Sequence, residues 1–132
     1  MFKGKKILCI IPARKNSKGI KNKNIQKING KPLIYFPINA SLKSKFIDKT
    51  LFSTDSKMYQ KLASKFGAET PYLRSKNLSK DSTPSFNVIK DILAKLKKDQ
   101  IFFDIIVLLE PTSPFTESKD IDNAIKTMIN KD

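Results

Sequence analysis

Histidine is absent from this sequence of 132 residues. The absence excludes a Ser-His-Asp or Cys-His nucleophile within the chain, and it excludes zinc sites of the usual Cys/His kind. Cysteine occurs once, at Cys9 inside an apolar run, so no internal disulfide can form and a small core residue is expected there. Chemistry in this chain therefore depends on carboxylates, lysines, arginines, backbone amides or a metal that arrives with a ligand.

Long apolar runs are also missing. No segment is apolar for long enough to cross a bilayer, and the start MFKGKK is not followed by a signal-like apolar region with a cleavage site. A lone thiol fits a reducing compartment. These features predict a cytoplasmic protein that does not bind membranes.

Acidic residues are scarce relative to basic ones, with 12 Asp and Glu against 26 Lys and Arg, for a net charge of +14. Such a charge attracts polyanions, which include nucleic acid, anionic membranes and phosphorylated small molecules. The lysines are scattered along the chain, which is typical of a compositional bias. Arginine occurs only at Arg14 and Arg74. In a chain that prefers lysine, arginine indicates positions where a planar fork of donors contacts a phosphate or a base.

Apolar runs and amphipathic segments alternate four times along the chain, which predicts an α/β fold. Thr54, Asp55 and Ser56 offer N-caps for the second helix, and Asp55 is interpreted as such a cap. Gly67 is expected to end that helix. The predicted strands cover residues 5–13, 48–54, 68–73 and 102–110, and the predicted helices cover 31–44, 57–66, 84–98 and 119–131. We expect one domain over 1–132, with an open, mainly parallel sheet covered by helices on both faces.

Ligands of open parallel sheets bind outside the carboxyl ends of the strands, so the loops that follow the strands are the candidate site. These loops read PARKNSKGIKNKN, STDS, YLRSKNLSKDS and EPTSP. In the first, Gly19 allows a turn that directs amides toward an anion, and Arg14, Lys18 and Lys23 could surround a triphosphate. The sequence has neither G-x-x-x-x-G-K-[ST] nor G-x-G-x-x-G. A solvated basic connection with a glycine turn explains the loop equally well.

Five motifs, in order, resemble the N-terminal part of the acylneuraminate cytidylyltransferases, the CMP-sialic acid synthetases. They are PARKNSKGIKNKN, PLIYFPINAS, STDS, LRSKNLSKDST and LLEPTSP, and they extend over essentially the whole chain. The resemblance implies a Rossmann-like fold of the nucleotide-diphospho-sugar transferase type. It also implies that CTP is joined to a nonulosonic acid sugar, with release of pyrophosphate and formation of a CMP-sugar.

The resemblance also implies roles for individual residues. Arg14 and Lys18 match loop cations that hold the triphosphate and neutralise the leaving pyrophosphate, and Lys23 and Asn24 match a K-N pair near the nucleotide. Arg14, Lys18 and Lys23 are the implied catalytic residues. Arg74 and Ser85 match positions that recognise cytidine, with the backbone around Ala13 beside the base. Glu110 stands where family members commonly have a glutamine that faces the sugar, which puts the identity of the sugar in doubt. The full set of implied nucleotide-binding positions is Ala13, Arg14, Ser17, Lys18, Gly19, Lys23, Asn24, Arg74 and Ser85.

Further expectations follow from the family. Its metal-binding aspartates and dimer contacts lie in a part that would follow residue 132, so we expect Mg²⁺ to be held from there, a homodimer in a longer enzyme, and no turnover by this chain alone. Two alternatives stay open. One is a cytidylyltransferase for another acidic sugar of the octulosonate type. The other is a basic fragment that binds nucleotides or nucleic acid without catalysis, although most aromatic residues lie in apolar segments rather than among the basic ones.

Overall fold

A parallel three-stranded sheet forms the centre of the computed structural model, which describes residues 1–17, 20–75, 85–111 and 115–131. Strand β1 (Ile7–Pro12) lies between β6 (Lys49–Ser53) and β7 (Ile105–Leu108). The register aligns Pro12 with Ser53 on one side and Ile10 with Leu108 on the other. The predicted parallel α/β sheet is therefore confirmed, with the first strand at its centre.

Helices cover both faces of this sheet, as the sequence predicts. Helix α1 (Tyr35–Lys43) lies between β1 and β6 along the chain, α2 (Lys57–Lys65) and α3 (Ser85–Lys98) lie between β6 and β7, and α4 (Ser118–Asn130) follows β7. Among the described residues, no helix is both long and apolar enough to span a membrane.

Alternation along β1 divides the core between the two faces, because successive strand side chains point to opposite sides. Cys9 and Ile11 pack with residues of α1 and α2, and Ile7 packs with residues of α1 and α4. Leu8 and Ile10 pack on the opposite face against α3, through Val88, Ile92 and Leu96. All five β1 residues from Ile7 to Ile11 are fully buried, which explains the continuous apolar run in the sequence.

The ends of two helices follow from local chemistry. Pro37 is the third residue of α1, in the first turn, where its missing N–H has no intrahelical acceptor to lose. Helix α2 ends at Lys65, and Gly67 follows with φ of +106°, as the predicted helix stop requires. A Cβ at Gly67 would lie 2.8 Å from Leu42 Cδ1, so packing as well as conformation favours glycine.

The segment between β1 and α1 contains more secondary structure than the single loop that the sequence predicts. Two hairpins occur there, with a short 3₁₀ turn between them at Lys23–Ile25. The strands of the first hairpin are β2 (Asn16–Ser17) and β3 (Ile20–Lys21), and those of the second are β4 (Lys27–Ile28) and β5 (Lys31–Pro32). Each strand has two residues, which is too short for hydrophobic alternation to reveal it.

The predicted third strand at 68–73 lies at the edge of the sheet, but it does not form a continuous strand. This segment makes two isolated parallel bridges to the β6 side of the sheet, Leu51 with Glu69 and Thr54 with Leu73. Pro71 lies between the two bridges and has no N–H to donate, so a continuous ladder does not form. The segment still runs along the outer edge of β6 and delivers Arg74 to the carboxyl end of the sheet.

Candidate active site

The carboxyl ends of β1, β6 and β7 lie side by side at one edge of the sheet. Pro12 pairs with Ser53, and the N–H of Leu109 donates to the carbonyl of Ile10 over 3.0 Å. The N–H of Arg74 donates to the carbonyl of Thr54 over 2.7 Å, which adds the 68–75 segment to the same edge. The four loops chosen from the sequence therefore begin at one edge of the sheet.

Arg74 is the most deeply buried of the cations that the structure describes at this edge, with 7% of its surface exposed. Its Nε donates to Ser53 Oγ over 3.2 Å, and its terminal Nη2 donates to the Ser53 carbonyl over 3.0 Å. The same carbonyl accepts the N–H of Ala13 over 2.8 Å. Ser53 thus joins two predicted nucleotide-binding positions, Ala13 and Arg74, although it was not itself predicted as a site residue.

Charged groups around Arg74 come from three different loops. Burial lowers the pKa of the Arg74 guanidinium, and the nearby charge of Arg14 lowers it further, whereas Asp55 and Glu110 raise it. The group remains a cation, because arginine does not deprotonate in proteins. Arg14, Asp55 and Glu110 are therefore near enough to Arg74 for their charges to act on it, and they come from three of the four candidate loops.

Asn24 holds the start of the basic loop in place. It is buried, and its Nδ2 donates to the carbonyl of Arg14 over 2.9 Å. The backbone carbonyl of Asn24 accepts the N–H of Ile34, directly before α1, over 3.1 Å. Lys23 precedes Asn24 in the 3₁₀ turn and is half-buried. Asn24 therefore contacts backbone in this structure, and its predicted contact with nucleotide remains a prediction.

The structure places three other predicted site residues. Ser17 lies in β2, Ser85 is the first residue of α3, and Glu110 follows β7 with an exposed side chain. Lys18 and Gly19 lie outside the described residues, as does most of the loop after Arg74. The placement of Ser85 at a helix start leaves its predicted cytidine contact as a prediction.

Asp55 has a different role from the helix cap that the sequence indicated. Ser56 is the N-cap of α2 and accepts the N–H of Tyr59 at its Oγ over 3.2 Å. Asp55 instead accepts the N–H of Lys15 at Oδ1, over 2.9 Å. Sequence patterns cannot separate these two roles, since adjacent polar residues before a helix all suit a cap. The STDS motif marked the region correctly but not the residue that caps.

Comparison with protein families shows which family the chain belongs to. A family model described as cytidylyltransferase matches residues 8–132, which includes β1 from Leu8 onward and every described part of the candidate site. This chain belongs to the cytidylyltransferase family. The resemblance noted from the five sequence motifs is thereby confirmed.

Curated cytidylyltransferases similar to this one act on several sugars, by their names. A CMP-N,N'-diacetyllegionaminic acid synthase of Legionella pneumophila is 40% identical over 121 residues, which cover 92% of this chain and 52% of the relative. An N-acylneuraminate cytidylyltransferase of Escherichia coli O18:K1:H7 is also 40% identical, over 28% of its own length. A pseudaminic acid cytidylyltransferase of Campylobacter jejuni is 40% identical over 50% of its length. The chain spans about half or less of each of these relatives.

Solved structures support the Rossmann-like cytidylyltransferase fold independently of sequence. A CMP:2-keto-3-deoxy-manno-octonic acid synthetase complexed with CTP superposes with a TM-score of 0.79 at 20% identity, covering 95% of this chain and 48% of that one. A cytidylyltransferase of Leptospira borgpetersenii superposes with a TM-score of 0.73 at 22% identity, again over about half of its chain (50%). At this identity the match concerns the fold alone.

Proposed function

We propose that residues 1–132 form the N-terminal, nucleotide-binding part of a single domain in a nucleotidyltransferase that couples CTP to a nonulosonic acid. The products are a CMP-sugar and pyrophosphate. The observation that carries the proposal is the position of Arg74 at the carboxyl edge of the sheet, where it donates to the same Ser53 carbonyl that accepts the Ala13 N–H, in a chain of the cytidylyltransferase family. The names of the curated relatives supply the sugar class.

The arrangement suits nucleotidyl transfer, which needs neutralised charge and in-line positioning more than covalent catalysis. The anomeric hydroxyl of the sugar attacks the α-phosphorus of CTP and loses its proton to solvent, the bond from the α-phosphorus to the oxygen that bridges to the β-phosphorus breaks, and pyrophosphate leaves with the electron pair. Arg14, Lys18 and Lys23 are proposed to hold the triphosphate and stabilise the departing charge. Their roles rest on the family motif and on the position of the loop.

Base recognition is proposed for Arg74, Ser85 and the backbone at Ala13, with Ser17, Gly19 and Asn24 shaping the loop around the phosphates. Two of the five N–H donors of Arg74 are directed to Ser53, so its guanidinium plane is held in a fixed orientation at the edge of the sheet. A fixed donor plane discriminates bases well, because a wrong base leaves buried donors without partners.

Mg²⁺ is part of the proposal, and when bound it would neutralise phosphate charge. The residues that the structure describes contain no group of three or more Asp, Glu or Cys that could hold a metal ion. Asp55, one of the acids near Arg74, already accepts the N–H of Lys15. The described part of this chain therefore does not fit as the complete metal site, and no step above is assigned to the ion. Ligands from outside the chain, a homodimer and a cytoplasmic location remain proposals.

Binding of CTP, CMP, ATP and a short single-stranded oligonucleotide to this chain tests the nucleotide half of the proposal by calorimetry. We expect CTP to bind more tightly than ATP, because Arg74 and the Ala13 backbone select the base. Equal affinities for CTP and ATP would remove the base-recognition role. Tight oligonucleotide binding with a steep salt dependence would favour the nucleic-acid alternative.

Lys18→Ala tests the triphosphate contact, and Lys97→Ala, an exposed residue near the end of α3, is the matched control. If Lys18 contacts the β- or γ-phosphate, its loss weakens CTP by about 1.5–3 kcal/mol and weakens CMP much less. Equal losses for CTP and CMP would place Lys18 elsewhere on the ligand. Lys97→Ala should leave both affinities unchanged.

Pyrophosphate release tests the reaction and the sugar. The assay compares this chain with a protein that also contains the part the curated relatives have, using CTP, Mg²⁺ and a panel of legionaminic, neuraminic, pseudaminic and octulosonic acids. We expect release only from the longer protein and only with a nonulosonic acid. Release with the octulosonic acid alone would favour the other sugar class, and robust release by this chain would make Asp55 and Glu110 the first metal-ligand candidates.

A further inference from the structure

The peptide groups on both sides of Lys15 are held by side chains from the segment that follows β6. The N–H of Lys15 donates to Asp55 Oδ1 over 2.9 Å, and its carbonyl accepts the hydroxyl of Tyr59 over 3.3 Å. The Lys15 side chain itself is exposed. The contacts therefore fix the path of the backbone rather than the position of this lysine's charge.

The same tyrosine also contacts Asn22, which follows the second strand of the hairpin just as Lys15 precedes the first. Its hydroxyl lies 3.2 Å from Asn22 Oδ1, and the N–H of Asn22 donates to the carbonyl of Lys15 over 3.0 Å. The single hydroxyl proton serves both acceptors, Lys15 O and Asn22 Oδ1. Asn22 has φ of +58°, a left-handed conformation that residues other than glycine rarely adopt. Lys15, Asn22 and Tyr59 thus form a closed group at the base of the hairpin.

The hairpin needs such support. It pairs Asn16 with Lys21 and Ser17 with Ile20, and its strands have two residues each. Isolated two-stranded hairpins are at best marginally stable in water, and shorter ones have fewer backbone hydrogen bonds to hold them. The contacts at the base therefore decide how the hairpin is oriented over the edge of the sheet.

Tyr59 is suited to this task because the core surrounds its ring. The side chain is fully buried in the core cluster that contains Cys9, Ile11 and Phe52. Burial, together with the charge of Asp55, raises the pKa of Tyr59 to about 12, so the hydroxyl keeps its proton. Lys15 and Asn22, the two residues that Tyr59 contacts, each stand next to a cation of the candidate site in the sequence. Arg14 precedes Lys15, and Lys23 follows Asn22.

We propose that Tyr59 is a positioning residue for the nucleotide site, whose hydroxyl fixes the base of the hairpin between Lys15 and Asn22 and so holds Arg14 and Lys23 ready for the phosphates of CTP. The inference rests on the proposed function for its ligand. Its physical basis is preorganisation: a loop that is already ordered loses less conformational freedom when the nucleotide binds. Tyr59 does not contact the reacting atoms.

Tyr59→Phe removes the hydroxyl and keeps the buried ring. Tyr72→Phe is the matched control, because its hydroxyl also donates to a side chain, Asp99 Oδ2 over 2.9 Å, but directly after α3 and not at the hairpin. Three quantities are measured for wild type and both variants: the affinities for CTP and CMP, hydrogen exchange of the Asn22 amide, and exchange of amides in β1 and α2. We expect CTP to bind about 3- to 10-fold more weakly to Tyr59→Phe, with faster Asn22 exchange and little change for CMP. The control should match wild type in all three.

Each other outcome has a defined meaning. Wild-type exchange at Asn22 in Tyr59→Phe would overturn the anchoring, and wild-type CTP affinity despite faster Asn22 exchange would overturn its link to the nucleotide. Faster exchange throughout β1 and α2 would show that the hydroxyl supports the whole core, which would overturn a positioning role. Failure of the wild-type chain to bind CTP would contradict the proposed function, and Asn22 exchange would then decide alone whether Tyr59 anchors the hairpin.

Discussion

The two edges of the central sheet use opposite charges. At the amino edge, Asp48 and Asp104 precede β6 and β7, and each accepts an N–H of the β1 segment, that of Ile7 over 2.7 Å and that of Lys6 over 2.8 Å. At the carboxyl edge, Arg74 donates two hydrogen bonds to Ser53 at the end of β6. Carboxylates thus accept N–H groups of the β1 segment at the amino edge, whereas a guanidinium donates to a carbonyl of β6 at the carboxyl edge.

The difference between the edges lies in what else these charges contact. The carboxylate of Asp48 is also occupied by the N-terminal amine of Met1, 2.7 Å away, so its charge is balanced within the chain. Arg74 is near the charges of Arg14, Asp55 and Glu110, which come from three separate loops. We infer that the amino edge contributes to folding stability, whereas the carboxyl edge contributes to both stability and binding. Substitutions at matched positions can test this division.

The largest effect is expected at Arg74. Arg74→Met removes both hydrogen bonds to Ser53 and should lower the free energy of unfolding by about 2–3 kcal/mol, the scale of charged hydrogen bonds at a buried site. Binding of CTP should be lost as well. Arg74→Lys, which keeps the charge without the fork, should retain part of the stability but not base selectivity between CTP and ATP. Denaturant unfolding and calorimetry measure the two effects, and normal CTP binding by Arg74→Met would contradict the assignment of this edge.

A smaller and selective effect is expected at Asp48. Burial alone would raise the pKa of Asp48, but hydrogen bonds from the N-terminal amine and the Ile7 N–H, with the charges of that amine and Lys6, lower it overall. A lowered folded-state pKa adds stability that is present above the unfolded pKa and is lost as the pH falls through the folded pKa. Asp48→Ala should therefore cost about 1 kcal/mol near neutral pH, and less as the solution becomes acidic.

Urea midpoints of wild type and Asp48→Ala, measured from neutral pH to about pH 2, check this pH dependence. The affinity for CTP should be unchanged in Asp48→Ala, because the substitution lies at the opposite edge from the candidate site. A loss of CTP affinity comparable to that of Arg74→Met would contradict the division between the edges. A stability difference that stays constant down to the lowest pH would show that the charge of Asp48 is not its contribution.

Glu110→Gln should change binding slightly and stability hardly at all, since the side chain is exposed at the carboxyl edge. Removing its negative charge near Arg74 should strengthen CTP binding about 2- to 3-fold at low ionic strength. The gain should disappear at high salt, where exposed charges are screened. Calorimetry at two salt concentrations measures the effect, and a weaker affinity for CTP would mean that Glu110 accepts a hydrogen bond from the nucleotide.

The smallest effect is expected at Glu69, which forms an exposed ion pair with Lys49 over 3.4 Å where β6 begins. Glu69→Gln should change the free energy of unfolding by less than about 0.5 kcal/mol, because exposed pairs contribute little. It should leave CTP binding unchanged, and so it is the matched control for Glu110→Gln. A stability loss as large as that of Asp48→Ala would show that carboxylates at the amino edge act through charge alone, rather than by accepting backbone N–H groups.

Local patterns in the sequence determined the strands and helices with strong periodicity and the order of the loops. The β1 run, the helical spacing of α3 and the helix stop at Gly67 depend on neighbouring residues, so they could be predicted. The five motifs led to the cytidylyltransferase family, and strand order placed their loops at one edge. The short strands β2 to β5 could not be predicted, because two residues carry no period.

Only the tertiary structure decided which side chains meet. Asp55 contacts Lys15, 40 residues away, instead of capping its own helix, and Arg74 is buried against Ser53, 21 residues away. Tyr59 reads as an ordinary apolar helix position, and nothing in its neighbourhood in the sequence indicates that its hydroxyl reaches Lys15 and Asn22. Hydrophobic periodicity indicates which residues of a helix or strand face the core. It cannot report the partner of a buried polar atom, since that depends on distances that exist only after the strands are paired.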